Sequence, residues 1–136
     1  MKFQPDHLPG TNTVSRHEPG AVWVNGVRWD QSVLVPWRGE PRPWLLANLA
    51  ALTPAHFEAA QGLGPELVIF GSGARLQFVS AGLYRGLIEA RIGIETMDTA
   101  AACRTYNVLA SEGRSVVAAL LVVPPGWGQA ACQGPV

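Results

Sequence analysis

Between residues 66 and 123 the chain alternates apolar strands with capped helices, and this order restricts the fold more than any other feature. Leu67-Val68-Ile69-Phe70 is a continuous apolar run halted by Gly71-Ser72-Gly73, the pattern of a strand covered on both faces. Ser80 can cap a helix carrying Leu83, Leu87 and Ile88 at helical spacing, and Ile92-Gly93-Ile94-Glu95-Thr96 reads as the next strand. Asp98 can cap a longer helix that ends at Gly113 and lines up Ala102, Tyr106 and Leu109 on one stripe. Val116 to Val123 is then a last buried strand. Such alternation produces crossover units, so the class is α/β.

The first half follows a different pattern. Val22-Trp23-Val24 and Val27-Arg28-Trp29 flank Asn25-Gly26, a pair that accepts the positive φ angles of a tight hairpin turn. The second arm is expected to run on through Ser32-Val33-Leu34-Val35 to Pro36, with Thr11 to His17 as a third antiparallel strand. This meander should sit beside, or extend, a mixed central sheet covered by helices. After a bend at Pro36, Pro41 and Pro43, a short helix with Phe57 inward is framed by Thr53 as N-cap, Pro54 at its first position and Gly62 past its end. Residues 1–10 and 124–136 hold proline and glycine without any period and are expected to be loosely ordered, leaving one domain over 11–123.

Composition narrows the classes of function. A chain of 136 residues can bury about 68–70% of its unfolded surface, so it needs neither disulfides nor metal to close a core. Ten basic and ten acidic residues cancel to a formal charge of 0, and without a net field nucleic-acid and membrane-surface binding are disfavoured. Nine of the ten basic residues are arginine, which reads as codon bias rather than as forked anion contacts. Charged residues make up 15% and apolar ones 48%, against about 25% charged in average usage, so disorder is excluded. The N-terminus lacks a leader's apolar stretch, and the longest apolar run, Val116 to Val123, falls far short of a membrane span. With only Cys103 and Cys132 as thiols, the expectation is a soluble, cytoplasmic protein.

Several groups could carry chemistry. Gly71-Ser72-Gly73 after a buried strand, with Glu95 in the next, partly matches a dinucleotide fingerprint, but Leu76 occupies the third glycine position and Arg75 to Ser80 separate the glycines from the helix, so a plain tight turn is preferred. The glycines flank Ser72 directly, which does not make a nucleophile elbow. At Asp98-Thr99 free helix amides could hold an anion, yet the Asp98 carboxylate satisfies them itself, so its expected role is a cap. Arg104, Thr105 and Asn107 lie along the same helix, and neither Arg104 nor Asn107 has an opposite charge at i±4, leaving them for a partner, a ligand or solvent. Cys103 reads as a small buried hydrophobe. His7, His17 and His56 are scattered, with no Cys or His pair at ligand spacing, so no metal and no cofactor are predicted. Trp23, Trp29, Trp37 and Trp44 cluster around the meander and the bend, some for the core and at least one for a partner surface.

Together, the Asn25-Gly26 turn, Ser32 to Pro36, the Gly71-Ser72-Gly73 turn, Ile94 to Leu109 and Glu112 to Val116 resemble the Mth938-like family, formerly a domain of unknown function, which includes a mitochondrial assembly factor of respiratory complex I. The resemblance spans roughly residues 11 to 123 and is most specific from Glu95 to Arg114; Ser72 stands where many members have Thr, and the Gly/Pro tail is this chain's own. It implies a three-layer α/β fold with a mixed sheet, and a shared functional surface around Gly71, Ser72, Gly73, Asp98, Thr99, Arg104, Thr105, Asn107 and Arg114. It brings no established reaction and no catalytic residues. The leading expectation is a non-catalytic protein-binding or assembly module, with a protein partner or self-association. The second is a small-ligand or anion-binding protein or enzyme using loop 71–73 and the helix start at 98–99, at the carboxyl ends of adjacent strands.

Overall fold

A computed structural model describes residues 10–123. The expectations for loose ends at 1–10 and 124–136 fall outside the described residues, Gly10 excepted. Strands β1 (Val14–Glu18), β2 (Ala21–Val24) and β3 (Val27–Trp29) form an antiparallel three-stranded sheet. Asn25 and Gly26 take φ angles of 53° and 85°, the left-handed pair that matches the twist of the strands they join. The inward side chains of this meander, Val14, Val22 and Val24, enter the core.

The second arm does not run on to Pro36 as expected. It stops at Trp29, and β4 (Val33–Pro36) belongs to a different, five-stranded sheet. Ser32 is the reason for the break. Its buried hydroxyl donates to the Leu46 carbonyl at 2.8 Å and accepts from the Val122 N–H at 2.9 Å, while its own carbonyl accepts from the Trp44 N–H at 3.0 Å. These bonds pull the chain out of the meander and align β4 with the end of the domain.

The larger sheet also contains β5 (Arg42–Pro43), β6 (Leu67–Gly71), β7 (Gly93–Met97) and β8 (Val116–Leu120), in the order β5-β4-β8-β6-β7. β6 is parallel to β7 and β8, and β4 is antiparallel to β5 and β8, so the sheet is mixed. Helices α1 (Pro54–Gln61) and α2 (Arg85–Glu89) lie on one face, and α3 (Thr99–Ser111) lies with the meander on the other. Thr53 precedes α1 as expected, but the side chain that caps its backbone N–H is His56, whose Nδ1 accepts at 3.0 Å. Ser80 caps a 3₁₀ turn over Ala81–Tyr84 rather than an α-helix, and this changes the phase of the stripe: Leu87 is buried while Ile88 is 54% exposed.

The period-2 alternation of the central strands separates two cores. Val116, Ala118 and Leu120 of β8 face α3 and the meander, while Val117 and Ala119 face α1 and α2. Phe57, Phe70 and Trp44 meet edge to face in the second core, with centroids 5.3 to 6.1 Å apart. The result is three layers. Replacing Ser32 with Ala leaves the buried Leu46 carbonyl and Val122 N–H without their partner and is expected to lower stability by about 1–3 kcal/mol in urea unfolding.

Candidate functional site

The two crossovers leave neighbouring strands for opposite faces: β6 leads to α2 on one side, and β7 leads to α3 on the other. Right-handed connections require this when the direction of travel across the sheet reverses, and the carboxyl ends at such a switch point are where open α/β sheets take ligands. Loop 71–73 and residues 98–99 do meet there, as the strand order predicts. They meet by bonding to each other. The Ser72 N–H donates to the Met97 carbonyl at 2.8 Å, the Gly73 N–H donates to Thr99 Oγ1 at 2.9 Å, and the Thr99 N–H donates back to the Gly73 carbonyl at 2.9 Å. Thr99 Oγ1 also donates to the Leu121 carbonyl at 2.8 Å, tying in the end of β8.

The sequence of the loop follows from this closure. A Cβ on Gly71 would stand 3.0 Å from Thr99 Cα and Oγ1 and 3.1 Å from Ala102 Cβ, so only glycine lets α3 approach this closely. Gly73 has φ of 107°, a backbone state that L side chains rarely adopt. The Ser72 hydroxyl is buried, donates to the carbonyls of Arg75 (2.8 Å) and Met97 (3.2 Å), and accepts from the Gln77 N–H at 2.9 Å. Asp98 Oδ1 accepts from the Ala101 N–H at 2.8 Å, the expected cap of α3.

The remaining residues of the expected surface separate into two groups. Arg104 is exposed and Thr105 half-buried on the outer side of α3. Asn107 instead faces β1: its Oδ1 accepts from the Val14 N–H and its Nδ2 donates to the Val14 carbonyl, both at 2.8 Å, imitating a neighbouring strand. Arg114 pairs with Glu66 at 3.2 Å and lies apart from the switch point, next to Ser115, whose N–H donates to the same carboxylate. That guanidinium, followed by the Ser115 N–H, holds the Glu66 carboxyl below the usual carboxylate range.

The sequence reading missed an amide network that docks the meander. Tyr106 Oη donates to the carbonyls of Asn12 (2.9 Å) and Pro36 (3.1 Å). Asn12 Nδ2 donates to the carbonyls of Pro36 and Gly39, its Oδ1 accepts from Asn25 Nδ2, and Asn25 Oδ1 accepts from the Thr13 N–H. One signal was available, since a tyrosine on a buried stripe needs a partner for its hydroxyl. Asn12 carried none. Of the four clustered tryptophans, Trp44 is core, Trp29 and Trp37 pack against the cores, and Trp23 lies between two arginines on the outer side of the meander. A hollow of about 230 Å³ lies between α1 and α2, lined by Pro54, Phe57, Glu58, Leu83 and Arg85 among others, away from residues 71–73 and 98–99. Among the described residues, no cluster of three or more His, Cys, Asp or Glu could hold a metal ion, and no helix is long and apolar enough to cross a membrane.

A family model described as a protein of unknown function (DUF498/DUF598) matches residues 14–121. The chain belongs to this family. An uncharacterized protein of Rhodobacter capsulatus is 36% identical over 105 residues, covering 77% of this chain and 75% of that one. NADH dehydrogenase (ubiquinone) 1 alpha subcomplex assembly factor 3 of Homo sapiens is 38% identical over 85 residues, 61% of this chain and 46% of the factor. The Bos taurus factor is 34% identical over the same shares. The chain thus spans a little under half the length of those factors. A crystal structure from Bordetella parapertussis superimposes with a TM-score of 0.80 at 37% identity, covering 83% of this chain and 97% of that one. The solution structure of a Mth938-like domain from Bordetella pertussis gives a TM-score of 0.79 at 30% identity, covering 91% and 94%. The three-layer α/β architecture implied by the resemblance to the Mth938-like family is therefore the one found.

In this DUF498/DUF598 member the thiol of Cys103 lies on the buried face of α3, and burial pushes it up to about 12, with Arg104 opposing and Asp98 acting in the same direction. Burial raises the Tyr106 phenol as well. The folded chain therefore keeps a thiol proton that the unfolded chain releases from about pH 9. The stability tied to that neutral thiol is full below this pH and is lost as the pH climbs toward the folded value. Urea midpoints should fall across that alkaline window, and Cys103→Ala should remove the thiol's share of the fall. Gly71→Ala is expected to force α3 outward at a cost of about 1–3 kcal/mol, read from the same unfolding curves.

Proposed function

We propose that this chain is a non-catalytic, cytoplasmic protein-binding module of the assembly-factor kind. One observation supports it above the others. At the switch point, where the fold class would offer a small molecule its site, Gly73 and Thr99 bond to each other, the Ser72 hydroxyl bonds to Arg75, Met97 and Gln77, and the Asp98 carboxylate accepts from the Ala101 N–H. The expected surface is thereby divided into residues that position α3 and residues that α3 presents. Gly71, Ser72, Gly73, Asp98, Thr99 and Asn107 do the positioning, and Arg114 pairs with Glu66 apart from them.

Arg104 and Thr105 are presented, together with Val108 one turn after Arg104 and 55% exposed. Among the described residues Arg104 has no carboxylate at ion-pair distance, in contrast to Arg16, Arg28 and Arg114. An unpaired guanidinium beside an exposed aliphatic side chain offers a protein both a charge contact and apolar area. The relatives named as assembly factors support the same reading.

Affinity capture with wild type, Arg104→Glu and Val108→Asp tests it. Both variants should melt within about 2 °C of wild type, since both sites face solvent, and both should lose most of the captured partner. Melting temperatures raised by nucleotides or phosphate, with the rise altered by Asp98→Asn, would instead favour a small-ligand protein.

A further inference from the structure

The outer face of the meander carries an ordered pattern of charge. Cross-strand register sets Arg16 opposite Trp23 and Trp23 opposite Arg28. Both guanidiniums lie over the indole, at 4.4 and 5.7 Å from its centroid. Glu18, two residues along β1, and Asp30, just past β3, hold the same guanidiniums at 3.1 and 3.4 Å. Because β1 and β3 both run antiparallel to β2, they run parallel to each other, and the two carboxylates fall on the same side of the Arg-Trp-Arg row. The face therefore bears a cationic row centred on an indole, with an anionic row beside it. The four charged side chains are 43% to 67% exposed.

Such a face is its own complement. A two-fold axis lying in the plane of the sheet, perpendicular to the strands and between the rows, turns the cationic row of one copy onto the anionic row of another. Arg16 then meets Glu18 of the second copy, Arg28 meets its Asp30, and both contacts are repeated by symmetry. The other in-plane axis, along the strands, would set Arg16 over Arg28 and Glu18 over Asp30, so like-charge repulsion selects a single arrangement. Indole and guanidinium are residue types that carry interface energy, and Trp23 already lies beneath both guanidiniums in the free protein.

We propose that the outer face of β1, β2 and β3 is the contact through which this chain pairs with a second copy of itself. The proposal rests on the protein-binding reading, and it uses the side of the meander opposite the one packed on α3. Exposed ion pairs are individually weak and screened by salt, so the pairing is weak and salt-sensitive.

Sedimentation velocity of the full chain tests this. At about 0.05 M salt the dimer fraction should rise with protein concentration, and at about 0.5 M salt the association constant should fall by tenfold or more. Arg16→Glu with Arg28→Glu, and Glu18→Arg with Asp30→Arg, should each be monomeric alone, and their equimolar mixture should recover a dimer containing one of each. If either pair of reversals abolishes the melting transition, Arg16→Gln with Arg28→Gln replaces it and should weaken pairing by about tenfold. A wild type that stays monomeric at every concentration, or a dimer that every folded variant retains, would overturn the proposal. Capture that still depends on Arg104 in such a monomer would leave the protein-binding reading standing.

Discussion

The position of α3 is the constraint on which the rest of the molecule depends. Its first turn presses against the end of β6 at a separation only glycine permits, and Thr99 bonds to the loop after β6 and to the end of β8. Half a helix later, Asn107 takes hold of β1 at Val14, and Tyr106 bonds to the carbonyls of Asn12, just before β1, and of Pro36 at the end of β4. The three-stranded sheet shares no ladder with the larger one. An isolated small sheet is marginal in water, so it needs this helix, the amide network and the valines beneath it to persist.

That arrangement has a functional consequence. In an open α/β sheet the switch point owes its usefulness to backbone amides left free by strands whose helices diverge. Here a threonine hydroxyl and the loop's own peptide groups occupy the space, and the aspartate supplies the anion the helix would otherwise accept. The fold keeps the topology of a ligand-binding sheet while closing its mouth. On the proposed reading, recognition falls to the outer stripe of α3 and the striped outer face of the meander.

Much of the fold was legible in the residues. The Asn25-Gly26 turn, the Asp98 cap, the doubly buried strand at 67–70 and the Cys103 side chain inside the core all follow from local rules about positive φ, capping oxygens and apolar periodicity. The site was legible only as a neighbourhood. Strand order brings residues 71–73 and 98–99 together, but whether they form a cavity or a seal depends on a close approach of a few ångströms, which spacing along a chain does not encode. Asn107 illustrates the difference: it has the composition of a recognition residue, yet its amide is bound to a strand 93 positions away.

By itself, then, the sequence determined the class, the turn, the Asp98 cap and the inward face of the helix it starts, because each is set by interactions within a few residues or by the period of a single element. The tertiary structure alone decided that Ser32 would divide one expected strand between two sheets, that Asn12 would link the meander to the chain after β4, and that the switch point would close. Those outcomes are hydrogen bonds between groups far apart along the chain, and a buried polar group takes whichever partner the packing brings within 3 Å.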